Sequence, residues 1–142
     1  MRGSLSPARS QTIRESFARQ GFLLNFGAEM AALELGHCVL KLAFGPQTVQ
    51  QHGYFPGGLI GALGDVAGGY AAMSVADVGD VLTVDYTINF LRPGRGDLLE
   101  ATGIVLRPGR TMTATRVDVH VHDGGERKLV AALQQTIMHL QE

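Results

Sequence analysis

The second half of the chain is dominated by alternating hydrophobic and polar positions, which is the pattern of half-buried β-strands. The alternation is clearest in residues 81–91, where one predicted face carries Leu82, Val84, Tyr86, Ile88 and Phe90, and the other carries Thr83, Asp85, Thr87 and Asn89. Further strands are predicted at 97–106, 111–122 and 128–140, joined by short turns. Earlier in the chain, residues 28–44 predict two short strands separated at Gly36.

Two helices are predicted ahead of this strand-rich half. The first begins at Ser6-Pro7, because proline suits the first helical position. Gly21 and Gly27 are stop signals near its end. The second covers residues 57–76 and carries a single charge, Asp65. Its six glycines and five alanines make a poor membrane span, so a buried helix is predicted. Each interior glycine lowers the stability of a helix by about 1 kcal/mol relative to alanine. This helix therefore needs other elements packed closely against it, as a curved sheet would provide.

Composition and charge exclude several classes of protein. A chain of 142 residues fits one domain, and we expect a single domain over 1–142 with residues 1–20 as an N-terminal helix or arm. The 12 basic and 13 acidic residues give no general attraction for nucleic acid or for an anionic membrane. A lone cysteine, Cys38, excludes an internal disulfide and fits a cytoplasmic location. No motif supports Cys38 as a nucleophile, and it is interpreted as a small buried hydrophobe.

The predicted central helix carries the strongest chemical signals. A lone carboxylate in an apolar helix is costly to bury, so Asp65 either hydrogen-bonds to a neighbouring strand or acts as a catalytic base or nucleophile. The residues alone leave these two interpretations equally weighted. Gly57 and Gly58 begin the same helix, whose first N–H groups have no internal partners. They form either a tight turn or an oxyanion-binding site open to a ligand carbonyl.

The segment LRPGR occurs twice, at residues 91–95 and 106–110. Pro-Gly is typical of turns, so the repeat predicts two hairpin turns. Residues 92–116 hold five arginines, whereas Lys41 is the only basic residue between Gln20 and Leu91. This distribution favours an anionic ligand near the turns. A metal site is not expected, because no cysteine or clustered acid completes the set formed on one strand face by Asp118, His120 and His122.

Taken in order, three segments resemble the hotdog-fold thioesterases, particularly the phenylacetate-pathway (PaaI-like) type: QQHGYFPGGLIGALGDVAGGYAA, LTVDYTINFLRPGRGD and LRPGRTMTATRVDV. The resemblance covers about residues 22–140. It implies an α+β fold in which an antiparallel sheet wraps a long central helix. It also implies a homodimer or homotetramer that hydrolyses acyl-CoA thioesters with neither metal nor cofactor.

The resemblance also implies roles for individual residues. The family's catalytic aspartate falls on Asp65, and the helix-N-terminal glycine whose amide polarises the thioester carbonyl falls on Gly57. An upstream Asn or Gln corresponds to Gln50, and the strand Ser or Thr that holds the attacking water corresponds to Thr83. The implied substrate-binding residues are His52, Gly58, Asn89, Phe90, Arg92, Arg95, Arg107 and Arg110.

The chain departs from the family pattern at Pro56, where many members have a histidine directly before the helix glycines. No imidazole role is therefore carried over to that position. Two alternatives to a thioesterase stay open. A non-catalytic acyl-CoA or acyl-carrier binding module is disfavoured because Asp65 is retained, and a hotdog hydratase is disfavoured because only His52 lies near the helix.

Helix geometry predicts that the site is shared between two subunits. Gly57 and Asp65 are eight positions apart, which is about 12 Å along a helix axis at 1.5 Å per residue. One thioester carbon needs an oxyanion donor and a base each within about 3 Å of its reacting atoms. Two copies related by a two-fold axis satisfy that requirement, because each helix start would lie beside the other copy's Asp65.

Overall fold

The computed structural model describes residues 3–140, in which the elements follow the predicted order closely. Three helices precede most of the sheet: α1 (Pro7–Phe17), α2 (Gly21–Asn25) and, after the first two strands, α3 (Gly57–Ser74). The strands are β1 (Glu29–Glu34), β2 (His37–Ala43), β3 (Val81–Phe90), β4 (Leu98–Arg107), β5 (Met112–Asp123) and β6 (Glu126–His139).

Local sequence signals account for several of these boundaries. The Ser6 hydroxyl accepts a hydrogen bond from the Arg9 N–H at 3.1 Å, and Pro7 occupies the first helical position of α1. Gly36 adopts φ +72° in the turn that separates β1 from β2, a backbone conformation that glycine supplies at no steric cost. The predicted helix start and the predicted strand break are both confirmed.

The six strands form one antiparallel sheet in the order β1-β2-β4-β5-β6-β3. The sheet packs against α3, which contacts all six strands and most extensively the central β4. Strand β3 lies at one edge and is paired only with β6. Its outer side therefore presents backbone N–H and C=O groups with no partner strand among residues 3–140.

Glycines allow the sheet to approach the backbone of α3 closely. A Cβ atom built on Gly64 would lie 3.1 Å from the Leu133 side chain. On the sheet, a Cβ at Gly103 would lie 2.6 Å from the backbone oxygen of Ala67, so β4 crosses the helix with no room for a side chain. The predicted close packing around a glycine-rich helix is therefore confirmed.

Strand β3 departs from the predicted alternation because it contains a β-bulge. Thr83 and Asp85 pair with consecutive residues of β6, which leaves Val84 as an extra residue. The extra residue shifts the phase by one position, so that Thr83 and Tyr86 both face α3. The prediction that Thr83 lies on the face opposite Tyr86 is wrong for this reason.

Helix α1 is fastened to the C-terminal end of α3 by the largely buried Arg9. Its guanidinium donates hydrogen bonds to the backbone oxygens of Met73, at 3.1 Å, and Gly79, at 2.9 Å. Met73 lies in the last turn of α3, where helix carbonyls lack internal partners. Among residues 3–140, no helix combines the length and apolar character needed to cross a membrane.

Candidate active site

Asp65 lies midway along α3, and its partly buried carboxylate faces the edge strand. The Thr83 hydroxyl donates a hydrogen bond to Asp65 Oδ1 at 2.6 Å, and the Gln135 amide donates to the same oxygen at 2.8 Å. The carboxylate forms no ion pair within residues 3–140. The structure thus confirms that Asp65 hydrogen-bonds to neighbouring strands. Its role as a catalytic base or nucleophile stays a prediction.

A cavity of about 510 Å³ opens beside Asp65 and Thr83, between α1, α3 and β3. Val66 and Leu82 contribute apolar walls. Tyr70 also lines it, and the Tyr70 hydroxyl lies 3.0 Å from Ser16 Oγ and accepts a hydrogen bond from Gln20 Nε2 at 3.1 Å. The N-terminal helix therefore forms one wall of the Asp65 cavity.

A second cavity, of about 390 Å³, lies at the N-terminal end of α3 and brings together four predicted site residues: Gln50, Gly57, Phe90 and Arg92. The Phe90 ring covers Gly57 so closely that a Cβ there would lie 3.1 Å from it. Within residues 3–140, neither the Gly57 nor the Gly58 N–H makes a hydrogen bond, and the N-cap residue, Pro56, has no side-chain acceptor. These amides are consequently open to a ligand oxygen.

The loop before α3 orients the Gln50 side chain. Its Oε1 accepts a hydrogen bond from the His52 N–H at 2.9 Å, and its backbone N–H donates to the Tyr54 oxygen at 2.8 Å. Gly53 completes this tight loop with φ +84°. The Gln50 NH₂ group makes no hydrogen bond to residues 3–140, and Gln50 lines the second cavity. His52 contributes its backbone to the loop, while its side chain is exposed.

The structure assembles the predicted catalytic residues as two pairs within one chain. Asp65 meets Thr83, and Gln50 shares a cavity with Gly57. The two pairs line different cavities because Gly57 and Asp65 are eight residues apart on the same helix. No single point in the described part of the chain is adjacent to both pairs.

The four predicted substrate-binding arginines are all exposed, and none forms an ion pair within the part of the chain that the structure describes. Arg92 lines the Gly57 cavity and, with Arg95 and Lys128, a neighbouring one of about 540 Å³. Arg107 and Arg110 line a separate cavity of about 400 Å³. The two LRPGR segments therefore occupy different surfaces. Residues 106–110 form the predicted hairpin turn between the paired strands β4 and β5. The prediction of a hairpin turn is wrong for residues 91–95, because they connect β3 to β4, which are not neighbours in the sheet.

Asn89 lies on the face of β3 that points away from α3, whereas its neighbours Ile88 and Phe90 point toward α3. Gly58 is exposed in the first turn of α3, and a Cβ there would meet open space. The substrate-binding roles of these two residues stay predictions.

Two other chemical candidates are set apart from these cavities. Cys38 is fully buried, and burial raises the pKa of its thiol to about 12, which keeps it protonated. His120 is on β5, where burial and the charge of Arg127 lower its pKa. Among residues 3–140, no three His, Cys, Asp or Glu side chains are placed to hold a metal ion.

Gln135 is a site residue that was not predicted from the sequence. It occupies an inward-facing position of β6 between Leu133 and Ile137, and it hydrogen-bonds to Asp65. The sequence signal that could have identified Gln135 is a polar side chain at a position where the strand's other inward-facing side chains are apolar. Its partner on α3 could not be identified without the packing.

A curved antiparallel sheet around a glycine-bearing helix, with an acidic residue facing the edge strand, defines a hotdog domain. Residues 52–128 match the family model described as the thioesterase superfamily. The chain belongs to that superfamily.

Comparison with individual proteins agrees with this assignment. A thioesterase family protein from Silicibacter pomeroyi superposes with a TM-score of 0.92 at 33% identity, covering 94% of this chain and 99% of that one. The E. coli PaaI protein from the phenylacetic acid degradation operon shares the fold, with a TM-score of 0.86, 22% identity and 96% of each chain covered. Over 56 residues, 39% of this chain and 34% of the relative, the chain is 36% identical to the medium/long-chain acyl-CoA thioesterase YigI of E. coli.

Proposed function

We propose that the protein is an acyl-CoA thioesterase whose active site combines residues of two subunits. The observation that carries this proposal is the division of the site into complementary halves. One half, Asp65 with Thr83, supplies a base; the other, Gly57 with Gln50, supplies hydrogen-bond donors for an oxyanion. Each half lacks what the other has.

The relation between β3 and α3 explains how a second copy would join the halves. The two elements run in opposite directions, so that Thr83 meets Asp65, Tyr86 meets Gly61 and Phe90 meets Gly57. If β3 pairs with its own copy about a two-fold axis near Thr87, Tyr86 comes opposite the partner's Ile88 and Thr83 comes opposite the partner's Phe90. The partner's Gly57 would then lie beside Asp65.

The exposed surface of β3 supports this pairing. The strand has a free hydrogen-bonding edge, and Leu82, Val84 and Phe90 are 57%, 52% and 53% exposed in the single chain. Large apolar side chains on an unpaired edge strand are a liability in a monomer, and they are typical of an interface. We therefore propose a homodimer, or a dimer of such dimers, formed through this edge.

In the shared site, the thioester oxygen accepts hydrogen bonds from the Gly57 N–H and the Gln50 amide, which stabilise the negative charge that develops there. Asp65 either removes a proton from water as that water attacks the thioester carbon, or attacks the carbon itself and is freed by water afterwards. In the first route, the Thr83 oxygen retains lone pairs that orient the water. Both routes release the free acid and the CoA thiol, and neither assigns a step to a metal ion.

The charges around the two cavities favour one direction for the substrate. Arg92 and Arg95 flank the Gly57 cavity and suit the phosphates of CoA, since a guanidinium pairs phosphate oxygens in a bidentate manner. The cavity beside Asp65 has no cationic group among its described lining residues and includes Asp80. We therefore propose that the acyl group occupies that cavity, which Tyr70 also lines.

The direct test is thiol release from a panel of alkyl- and aryl-CoA esters. We expect wild-type turnover, and we expect Asp65→Asn to slow it by about 10²–10⁴-fold, the usual contribution of a general base. Asp118→Asn, which removes a carboxylate of β5 that pairs with Arg116 and lines neither cavity, serves as the matched control and should retain activity. Near-full activity of Asp65→Asn, or no hydrolysis of any ester by the wild type, would overturn the proposal.

A further inference from the structure

We propose that Gln135 is a positioning residue that fixes the Asp65 carboxylate and leaves Oδ2 as its reactive oxygen. This inference rests on the proposed thioesterase function. Gln135 is 2% exposed at an inward position of β6, and nothing in the proposed chemistry requires it to touch the substrate.

The orientation of the Gln135 amide follows from its partners. Its Nε2 lies 2.8 Å from Asp65 Oδ1 and 3.2 Å from the backbone oxygen of Asp65. A helix carbonyl and a carboxylate are acceptors, so only the NH₂ end of the amide can face them. At the other end, the Thr115 hydroxyl of β5 donates to Gln135 Oε1 at 2.8 Å. Both ends are thus satisfied, and the side chain is held in one orientation.

Gly68 provides the space for this arrangement. A Cβ atom at that position would overlap the Gln135 amide and would come 3.0 Å from the Thr115 hydroxyl. The amide therefore lies directly against the backbone of α3, one turn after Asp65. This placement lets a β6 side chain reach both the backbone and the carboxylate of a helix residue.

The hydrogen bonds divide the two carboxylate oxygens into an anchored one and a free one. Thr83 and Gln135 both donate to Oδ1, from β3 and β6 respectively. Oδ2 receives no hydrogen bond from residues 3–140, and Asp65 lines the open cavity. The free oxygen is therefore the one available to water or to the thioester carbon.

Gln135 should affect the rate and the pH dependence of the reaction but not substrate affinity. Its donor stabilises the ionised carboxylate, since hydrogen bonds to charged groups are among the stronger ones. Asp80 and Tyr70 are the other titratable groups that line the cavity. Neither contacts Gln135, so a change in the acidic limb of the pH profile reports on Asp65.

The test compares Gln135→Met, which keeps the side-chain length but removes the donor, with Gln134→Met at the exposed neighbouring position. For Gln135→Met we expect kcat to fall about 10- to 100-fold, from the loss of hydrogen bonds to a charged group, with KM within about twofold. The acidic limb of its kcat/KM profile should move to higher pH. Gln134→Met should match the wild type in all three measurements.

If Gln135→Met does not fold, a second pair of variants still tests the inference. Thr115→Val removes the hydroxyl that holds Gln135 Oε1 while keeping the shape, and we expect it to lower kcat; Thr115→Ser keeps the hydroxyl and should restore kcat. Unchanged kcat in Gln135→Met or Thr115→Val, or lowered kcat with an unmoved acidic limb, would overturn the inference. If Asp65→Asn is inactive while Gln135→Met behaves like wild type, only the inference fails. If Asp65→Asn retains activity, the proposed function itself fails.

Discussion

At the residue scale, the proposed chemistry depends on how Asp65 is held. Its carboxylate accepts hydrogen bonds from neutral donors on two strands rather than from a cation, while its second oxygen, Oδ2, receives none from residues 3–140 and the residue lines the cavity. Thr83 donates a hydrogen bond to the carboxylate, and in the proposed mechanism its oxygen also orients the attacking water. These two contributions require a hydroxyl but not a methyl group.

We therefore expect Thr83→Val to lower kcat about 10- to 100-fold, since it removes a hydrogen bond to a charged group without changing the size of the side chain. Thr83→Ser restores the hydroxyl and should recover most of the activity. Steady-state thiol release measures both variants. Equal activity of the two would show that the hydroxyl has no part in the reaction.

At the element scale, the glycines of α3 fall into two groups: some are needed because the sheet packs against them, and others face open space. Gly68 faces Gln135, whereas a Cβ at the next residue, Gly69, would meet no atom within 4 Å. We expect Gly69→Ala to raise the free energy of unfolding by about 1 kcal/mol through helix propensity. Gly68→Ala should lower it by about 1–3 kcal/mol, because the Gln135 amide must leave its buried hydrogen bonds. Urea denaturation measures both; changes of the same sign would contradict this packing.

The two LRPGR segments are expected to differ in how much they contribute to substrate binding. Arg92 lines the cavity that contains Gly57, whereas Arg110 lines another. Arg92→Ala should therefore raise KM for acyl-CoA several-fold with little change in kcat, because it removes a contact with CoA rather than with the reacting atoms. Arg110→Ala is the matched comparison. An unchanged KM in Arg92→Ala would remove CoA binding from the first turn.

The sequence predicted the elements better than the faces they present. Glycine content predicted a closely packed helix, which the structure confirms. Motif order assigned roles to Asp65, Gly57 and Gln50, and those roles stay predictions. The bulge at Val84 could not be predicted, because the alternation continues through it in the sequence while the pairing does not. Gln135 was missed for a related reason: a buried polar residue gains its meaning only from partners on α3 and β5 that are distant along the chain.

At the scale of the whole molecule, stability should depend on pH through two partly buried histidines, His120 and His139. Burial, followed by the charge of Arg9, lowers the pKa of His139 below its ordinary value of 6.5, and burial likewise lowers that of His120. The folded state then binds fewer protons than the unfolded state. The contribution of these histidines to the free energy of unfolding is therefore fully present above pH 6.5. It is lost as the pH falls toward their lower folded pKa values.

Urea unfolding at about pH 7.5 and 5.5 should show this loss. His139→Gln should reduce the difference between the two conditions, whereas His52→Gln, at an exposed position, should leave it unchanged. A wild type that is more stable at the lower pH would contradict the assignment.

The central claim is that each active site takes Asp65 and Thr83 from one subunit and Gly57 and Gln50 from the other. Co-folding Asp65→Asn with Gln50→Ala subunits, each nearly inactive alone, tests it most directly. In a shared site, every mixed dimer has one site with both lesions and one intact site. With random assembly, about half the dimers are mixed, so activity should recover to about a quarter of the wild-type value. No recovery, with subunit exchange demonstrated, would place the whole site within one chain and contradict the account.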